Sequence, residues 1–198
     1  MTEQKSWPIV GDDGLARPPW AARDELLRTY YDTEWGMPVR DERGMFERVC
    51  LEGFQVGLSW RLVLARREAF RAAFHGFAPE ACAAMSIEHL LHDASLIRNR
   101  RKLNAVVVNA QAALALREEG THLGEFVWSY QPETTPAPRC MEEVPSESEE
   151  SRKLARDLKA RGFTFVGPVT MYALMESVGI VDTNLVGTWR RGASGVWV

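Results

Sequence analysis

The sequence predicts an all-α domain, and three observations carry that reading. Apolar residues recur at three-to-four spacing in segment after segment. Capping residues, glycines and prolines punctuate those segments at helix-like lengths. Period-two alternation is nearly absent; only Phe163–Val166 shows it, too short to build a sheet. There is no internal repeat and no low-complexity tract.

The elements follow in order. Residues 1–22 hold Pro8, Gly11, Gly14, Pro18 and Pro19 and read as irregular. The first 17 form an arm ahead of a single domain over 18–198. Helical spacing begins at Asp24, with Leu26, Leu27, Tyr30 and Tyr31. Asp41 can cap a second helix whose apolar face is Met45, Phe46, Val49 and Cys50, with a break at Gly53 and Gly57. Ser59 sits as N-cap of a helix from Trp60 to Phe74, striped by Val63, Leu64 and Phe70. Pro79 starts a short helix through Met85, and Ser86 opens another through His92. The longest helix runs from about Asn99 to Glu119 and stops at Gly120. A short aromatic helix covers Phe126–Tyr130. Four prolines make 131–145 a long loop. Ser146 and Glu149 make a capping box for a helix ending at Gly162, and a last helix runs from Pro168 to Gly179.

Composition narrows the function. The chain has 198 residues, 45% of them hydrophobic, which is ordinary for one globular domain and excludes wholesale disorder. No apolar run reaches the roughly 18 residues of a membrane span. The first residues carry no basic-then-apolar signal pattern, and three widely spaced cysteines (Cys50, Cys82, Cys140) fit a reducing compartment; the expected location is the cytoplasm. A net charge of −3 argues against a protein that coats nucleic acid non-specifically but permits local basic patches.

His89 and His92 lie three apart on one short helix, but with no further ligand pattern they read as solvated, and no metal or cofactor is expected. Glycine-rich phosphate loops, G-x-S-x-G elbows and paired C-x-x-C motifs are missing. The stretch Cys50–Trp60 places Glu52, Gln55, Ser59 and Trp60 around Gly53 and Gly57, bringing carboxylate, amide and indole to one tight turn. Upstream lie Trp20, Tyr30, Tyr31 and Trp35, among seven tryptophans in all. Such aromatics commonly plug a helical core. They also supply what a nucleobase pocket needs, stacking faces beside a hydrogen-bonding carboxylate. Arg98, Arg100, Arg101 and Lys102 crowd the turn before the longest helix, where backbone N–H groups and cations can face an anion. Solvated charge is the other reading. Further cations cluster at Arg61, Arg66, Arg67 and Arg71, and at Arg190 and Arg191.

The segments Tyr30–Gly36, Cys50–Trp60, Asp93–Lys102, Arg161–Gly167 and Gly179–Asp182 occur in the order and spacing of the DNA-3-methyladenine glycosylase I family, which the chain resembles over nearly all of 18–189. The resemblance implies a helix-hairpin-helix glycosylase fold, excision of 3-methyladenine from alkylated double-stranded DNA in base-excision repair, no cofactor, free 3-methyladenine as product and a monomer. By the same resemblance Glu52 is the pocket carboxylate and Tyr30 and Trp60 flank the base. Trp20 is a further pocket tryptophan, and Trp35 is structural or part of the wall. Gly57 and Leu58 plug the space left by the flipped nucleotide, and Asp93–Lys102 grips the phosphate through backbone amides. The family's structural zinc is held by two Cys and two His. The corresponding positions here are Pro18, Tyr31, Asn184 and Thr188, so packing is expected to replace the metal, with Tyr31 and Trp189 as fillers. Phe54 and Leu27 stand where relatives carry polar or tyrosine residues.

N3-alkylated adenine is cationic and already a good leaving group, so the expected mechanism is extraction, sandwiching between Tyr30 and Trp60, hydrogen bonding to Glu52 and attack by water. With no lysine in the pocket motif, lyase activity is not expected. Asp182 is a candidate aid to the sugar step. The alternatives are a glycosylase for another alkylpurine, a non-catalytic lesion-binding protein, and a structural α-domain whose aromatics are core.

Overall fold

The computed structural model describes residues 6–197; residues 1–5 of the expected arm and Val198 lie outside it. Ten α-helices and one two-stranded antiparallel ribbon make up the regular structure among the described residues. The ribbon pairs β1 (Ile9–Val10) with β2 (Ala16–Arg17). It corrects the expectation of a wholly irregular arm, as does the helix α1 (Pro19–Ala22), which Pro19 opens. Gly14, at φ 74°, makes the tight return that the prolines and glycines signalled only as a break. The arm is tied down by Arg17, buried and fork-bonded to both Asp13 and Asp32.

Asp24 caps α2 (Glu25–Thr33), accepting from the N–H of Leu27 at 3.0 Å. Asp41 likewise caps α3 (Glu42–Gln55) through the N–H of Gly44. The second helix is not broken at Gly53: α3 runs through it because that glycine lets Phe165 approach, and an added Cβ would sit 3.3 Å from the Phe165 Cβ. Nearly every residue of α3 from Met45 to Phe54 is buried, so it is the central helix of the domain. It packs against α10 (Pro168–Ser177), α8 (Leu123–Trp128) and α7 (Arg100–Glu118).

The expected Trp60–Phe74 helix is two, α4 (Trp60–Leu64) and α5 (Arg67–Ala73), separated at Ala65 and Arg66. Ser59 caps the first as expected, its hydroxyl accepting from Leu62. The break lets Phe70 and Phe74 turn inward, where Phe54 stacks on Phe70 at 4.2 Å. α6 (Pro79–Ala83) lies along α7, which starts at its Asn99 cap. α8 begins before the predicted aromatic helix because His122 caps it. α9 (Glu149–Ala160) is capped two residues later than expected: Ser148 and Ser151 exchange hydrogen bonds in a capping box. Phe163–Val166 forms no strand; the Asn109 side chain holds both the N–H and C=O of Thr164, and Phe165 takes φ 59°. Gly179, at φ 77°, ends α10's turn where a Cβ would lie 2.7 Å from the Gly36 carbonyl, locking α10 against the α2–α3 connection.

Candidate functional site: an aromatic cavity with an unpaired carboxylate

A cavity of about 420 Å³ opens between α1, α2, the last turn of α3, α4, α10 and the segment 183–185. It gathers, from positions far apart in sequence, Trp20, Tyr30, Trp35, Glu52, Gln55, Ser59 and Trp60. All five base-pocket residues expected from the sequence, and the carboxylate, therefore share one space. Leu27 lines it too, whereas Phe54 does not, being committed to the phenylalanine core.

Glu52 sits in the last turn of α3, 4% exposed, and its Oε2 has no hydrogen-bond partner. Burial, with a smaller push from the charge of Glu176, raises its pKa to about 8. The Trp60 indole Nε1 is also buried and unpartnered. Buried polar atoms without partners are rare, and a free acceptor and a free donor on the wall of one cavity mark places for a ligand's polar edge.

Tyr30 is held from behind. Its hydroxyl accepts from Arg48 Nη1 at 3.2 Å, and Arg48 in turn pairs with Glu34, which also takes a two-pronged bond from Arg67. Burial pushes the Glu34 carboxyl up, but the two guanidiniums outweigh it and hold it below its ordinary value. Tyr30 thus offers ring, not hydroxyl, to the cavity. The rings of Tyr30 and Trp60 lie 5.4 Å apart at 48°. Rings so close touch each other and leave no room for a base between them. They form one continuous wall, which corrects the expected sandwich.

The turn Val56–Ser59 stands at the rim. Gly57 adopts φ 75°, which a glycine takes without strain. Leu58 and Val56 are exposed there, beside a smaller hollow of about 280 Å³ that they share with Glu52, Gln55 and Val169. An exposed leucine on a glycine-shaped turn beside the cavity is where a plug would stand.

The basic turn separates into different roles. Arg98 and Arg101 are exposed. Arg100 pairs with Glu88. Lys102 is buried, and its ammonium donates to the carbonyls of Phe54 and Val56 at 2.7 and 2.5 Å, capping the C-terminal end of α3. Burial lowers its pKa. A lysine so engaged braces the plug turn rather than reaching a phosphate.

Sequence reading missed Glu176, Thr183, Met141 and Val144 on the cavity wall. Glu176 had a signal: it is the only charged residue in α10. The loop residues Met141 and Val144 had none. Asp182, considered for the sugar step, is instead a turn organiser: it accepts from the backbone and side-chain nitrogens of Asn184 and from Gly192 N. Trp189 is no filler, being 40% exposed with Nε1 donating to Asp32.

Pro18, Tyr31, Asn184 and Thr188 do not fit a zinc ion. The Tyr31 hydroxyl donates to Asn184 Oδ1, the Thr188 hydroxyl donates to the Leu185 carbonyl, and Pro18 has no donor atom. Among the described residues no three His, Cys, Asp or Glu side chains gather as metal ligands.

Comparison with known proteins agrees with this geometry. The methyladenine glycosylase family profile matches residues 20–191. The chain is 42% identical to DNA-3-methyladenine glycosylase 1 of Escherichia coli (strain K12) over 179 residues, covering 87% of this chain and 95% of that protein. It superposes on a crystal structure of 3-methyladenine DNA glycosylase I with TM-score 0.85 and 39% identity, over 88% of this chain and 99% of the other. A Staphylococcus aureus 3-methyladenine DNA glycosylase I, solved for its recognition of 3-methyladenine, gives TM-score 0.81 and 30% identity over 85% and 93%. The family profile, the sequence identity and the shared helical architecture place this chain in the methyladenine glycosylase family.

Proposed function

We propose that the protein hydrolyses the N-glycosidic bond of 3-methyladenine in alkylated double-stranded DNA, as a monofunctional glycosylase of base-excision repair. One observation carries the reading: a buried, unpartnered carboxylate, Glu52, in a cavity walled by tryptophan and tyrosine.

A base can reach this cavity only by leaving the helix, which costs a few kcal/mol and least for a damaged pair. Leu58 fills the gap left behind. The extruded base meets the wall of Tyr30 and Trp60, and a cationic ring over such faces gains roughly 0.5–2 kcal/mol that a neutral base does not. Glu52 accepts hydrogen bonds from the base edge. The arrival of positive charge favours its ionised form, so the carboxylate that burial keeps neutral in the empty site becomes an anion when the cation enters. The bond between C1′ of the sugar and the base nitrogen then breaks with its electron pair leaving on the base, which departs neutral. Water adds its oxygen to C1′ and releases a proton. No acid is needed for the leaving group. Among the described residues no lysine lines the cavity, and Lys102 is spent on two carbonyls, which supports a glycosylase without lyase activity.

Cys50, Cys82 and Cys140 are free thiols, which suits the cytoplasm. The test is base release from methylated genomic DNA, separated by chromatography. Wild type is expected to release 3-methyladenine and Glu52→Ala to release little. Release of another alkylated base moves the specificity. Binding without release makes the protein a lesion binder.

A further inference from the structure

The cavity holds a second carboxylate that the proposed mechanism does not use. Glu176 lines it from α10, the helix packed against α3, which carries Glu52. One of its oxygens accepts from the Thr183 hydroxyl at 2.6 Å, which fixes the side chain in the cavity wall. An apolar helix with a single charged residue, and that residue turned into a ligand-sized cavity, is not built for stability. A buried carboxylate costs free energy unless something compensates it. Among the described residues no cation pairs with it: Arg48 engages Tyr30 and Glu34, and Arg61, also on the cavity wall, engages Asp24. The titratable and charged groups around it are Glu52 on α3, Tyr30 on α2, Arg61 on α4 and Tyr172 one turn earlier on its own helix.

Building on the glycosylase reading, we infer that Glu176 is a specificity-determining residue of this site, a second carboxylate that with Glu52 makes the cavity select purines carrying a positive charge. Two carboxylates lining one cavity repel each other when both are ionised, so the empty site holds protons. A cationic base supplies the missing positive charge and displaces a proton. A neutral purine supplies nothing and meets the full desolvation cost. Burial raises Glu176 to about 7 against the pull of the Thr183 hydroxyl, so the exchange is within reach at neutral pH.

The experiment uses Glu176→Gln, which keeps the volume and can still take the Thr183 hydrogen bond. Binding of 3,9-dimethyladeninium, which keeps the positive charge the base carries in the nucleotide, and of neutral 9-methyladenine is followed by tryptophan fluorescence across pH 5–9, beside the pH profile of kcat/KM on DNA carrying 3-methyladenine. The expected result is about tenfold weaker 3,9-dimethyladeninium binding, the size of one lost charge-assisted contact, with 9-methyladenine binding unchanged. KM should rise more than kcat falls. The acidic limb of the profile should move down by roughly one pH unit, because Glu52 ionises more easily without its like-charged neighbour. Unchanged 3,9-dimethyladeninium affinity and an unmoved limb would overturn the inference and leave Glu176 a structural partner of Thr183. If Glu176→Gln does not fold, Thr183→Val answers instead: without the hydroxyl Glu176 keeps its proton to higher pH, so 3,9-dimethyladeninium binding at neutral pH should weaken, and unchanged affinity overturns the inference. Wild type that releases no 3-methyladenine would sink the glycosylase reading and this inference with it; release that Glu176→Gln matches in every respect sinks this inference alone.

Discussion

The Tyr31 hydroxyl donates to Oδ1 of Asn184 at 2.7 Å, across 153 positions of sequence. Around this bond Tyr31 packs edge-on to Trp20 and stacked on Trp35, and Asp182 holds Asn184 through two further hydrogen bonds. The cluster joins the start of the domain to its end, at the positions where the sequence resemblance implies a metal in relatives.

It follows that a chelator should leave this protein's melting temperature unchanged, whereas Tyr31→Phe should not. Removing the hydroxyl strands a buried amide oxygen and should cost about 1–3 kcal/mol. Urea unfolding of the two proteins, with and without EDTA, measures both. A chelator-sensitive transition would contradict the packing account.

Glu52→Gln should lose base release and gain stability, and the gain should grow with pH. Glu52 has a folded pKa raised from 4.5 to about 8 by burial, so the folded state binds the proton more tightly than the unfolded state. Its drag on stability is absent below about pH 4.5, grows as pH rises, and is complete above about pH 8, at roughly 1.4 kcal/mol per unit of elevation. Thermal melts at pH 5 and pH 8 should show a small difference between Glu52→Gln and wild type at the lower pH and a clear one at the higher.

Leu58→Ala should unfold like wild type, within about 0.5 kcal/mol, because the side chain is exposed. Its defect should appear on duplex DNA, as a raised KM, and fade on single-stranded substrate where no gap needs filling. Equal loss on both substrates would remove Leu58 from the role of plug.

Lys102→Met separates two roles. A phosphate contact would lower the salt dependence of DNA binding by about one unit of slope. The geometry gives a different outcome: stability falls by about 1–3 kcal/mol as the carbonyls of Phe54 and Val56 lose their donor, and the salt slope stays put. Arg98→Ala and Arg101→Ala, on exposed side chains, provide the comparison in which the slope should fall.

Most helices were legible because their signals are local. Asp24, Asp41, Ser59 and Asn99 cap where such residues should, and Pro79 and Pro168 open helices as their fixed φ allows. The misreadings arose where a distant partner overrode local preference. Gly53 looked like a break until Phe165 needed its bare Cα, and the alternation at Phe163–Val166 was pre-empted by the Asn109 side chain. The same holds for the site. Glu52 and Trp60 share a short motif and could be read together, and resemblance added Trp20 and Tyr30. Which face of Tyr30 meets the cavity, and that Lys102 turns inward, depend on Arg48, Glu34 and the end of α3, which no spacing along the chain reveals.

The cavity has a walls-from-everywhere construction: Pro18 and Trp20 from one end of the domain, Met141 and Val144 from the long loop, Thr183 to Leu185 from the other end. Such a site has no partial form. While the chain is being synthesised, Tyr31 waits for Asn184, and the pocket stays open on one side until nearly the whole domain has emerged. Glu52 is thus fully walled in, with the burial that raises its pKa, only once the two ends of the domain have met.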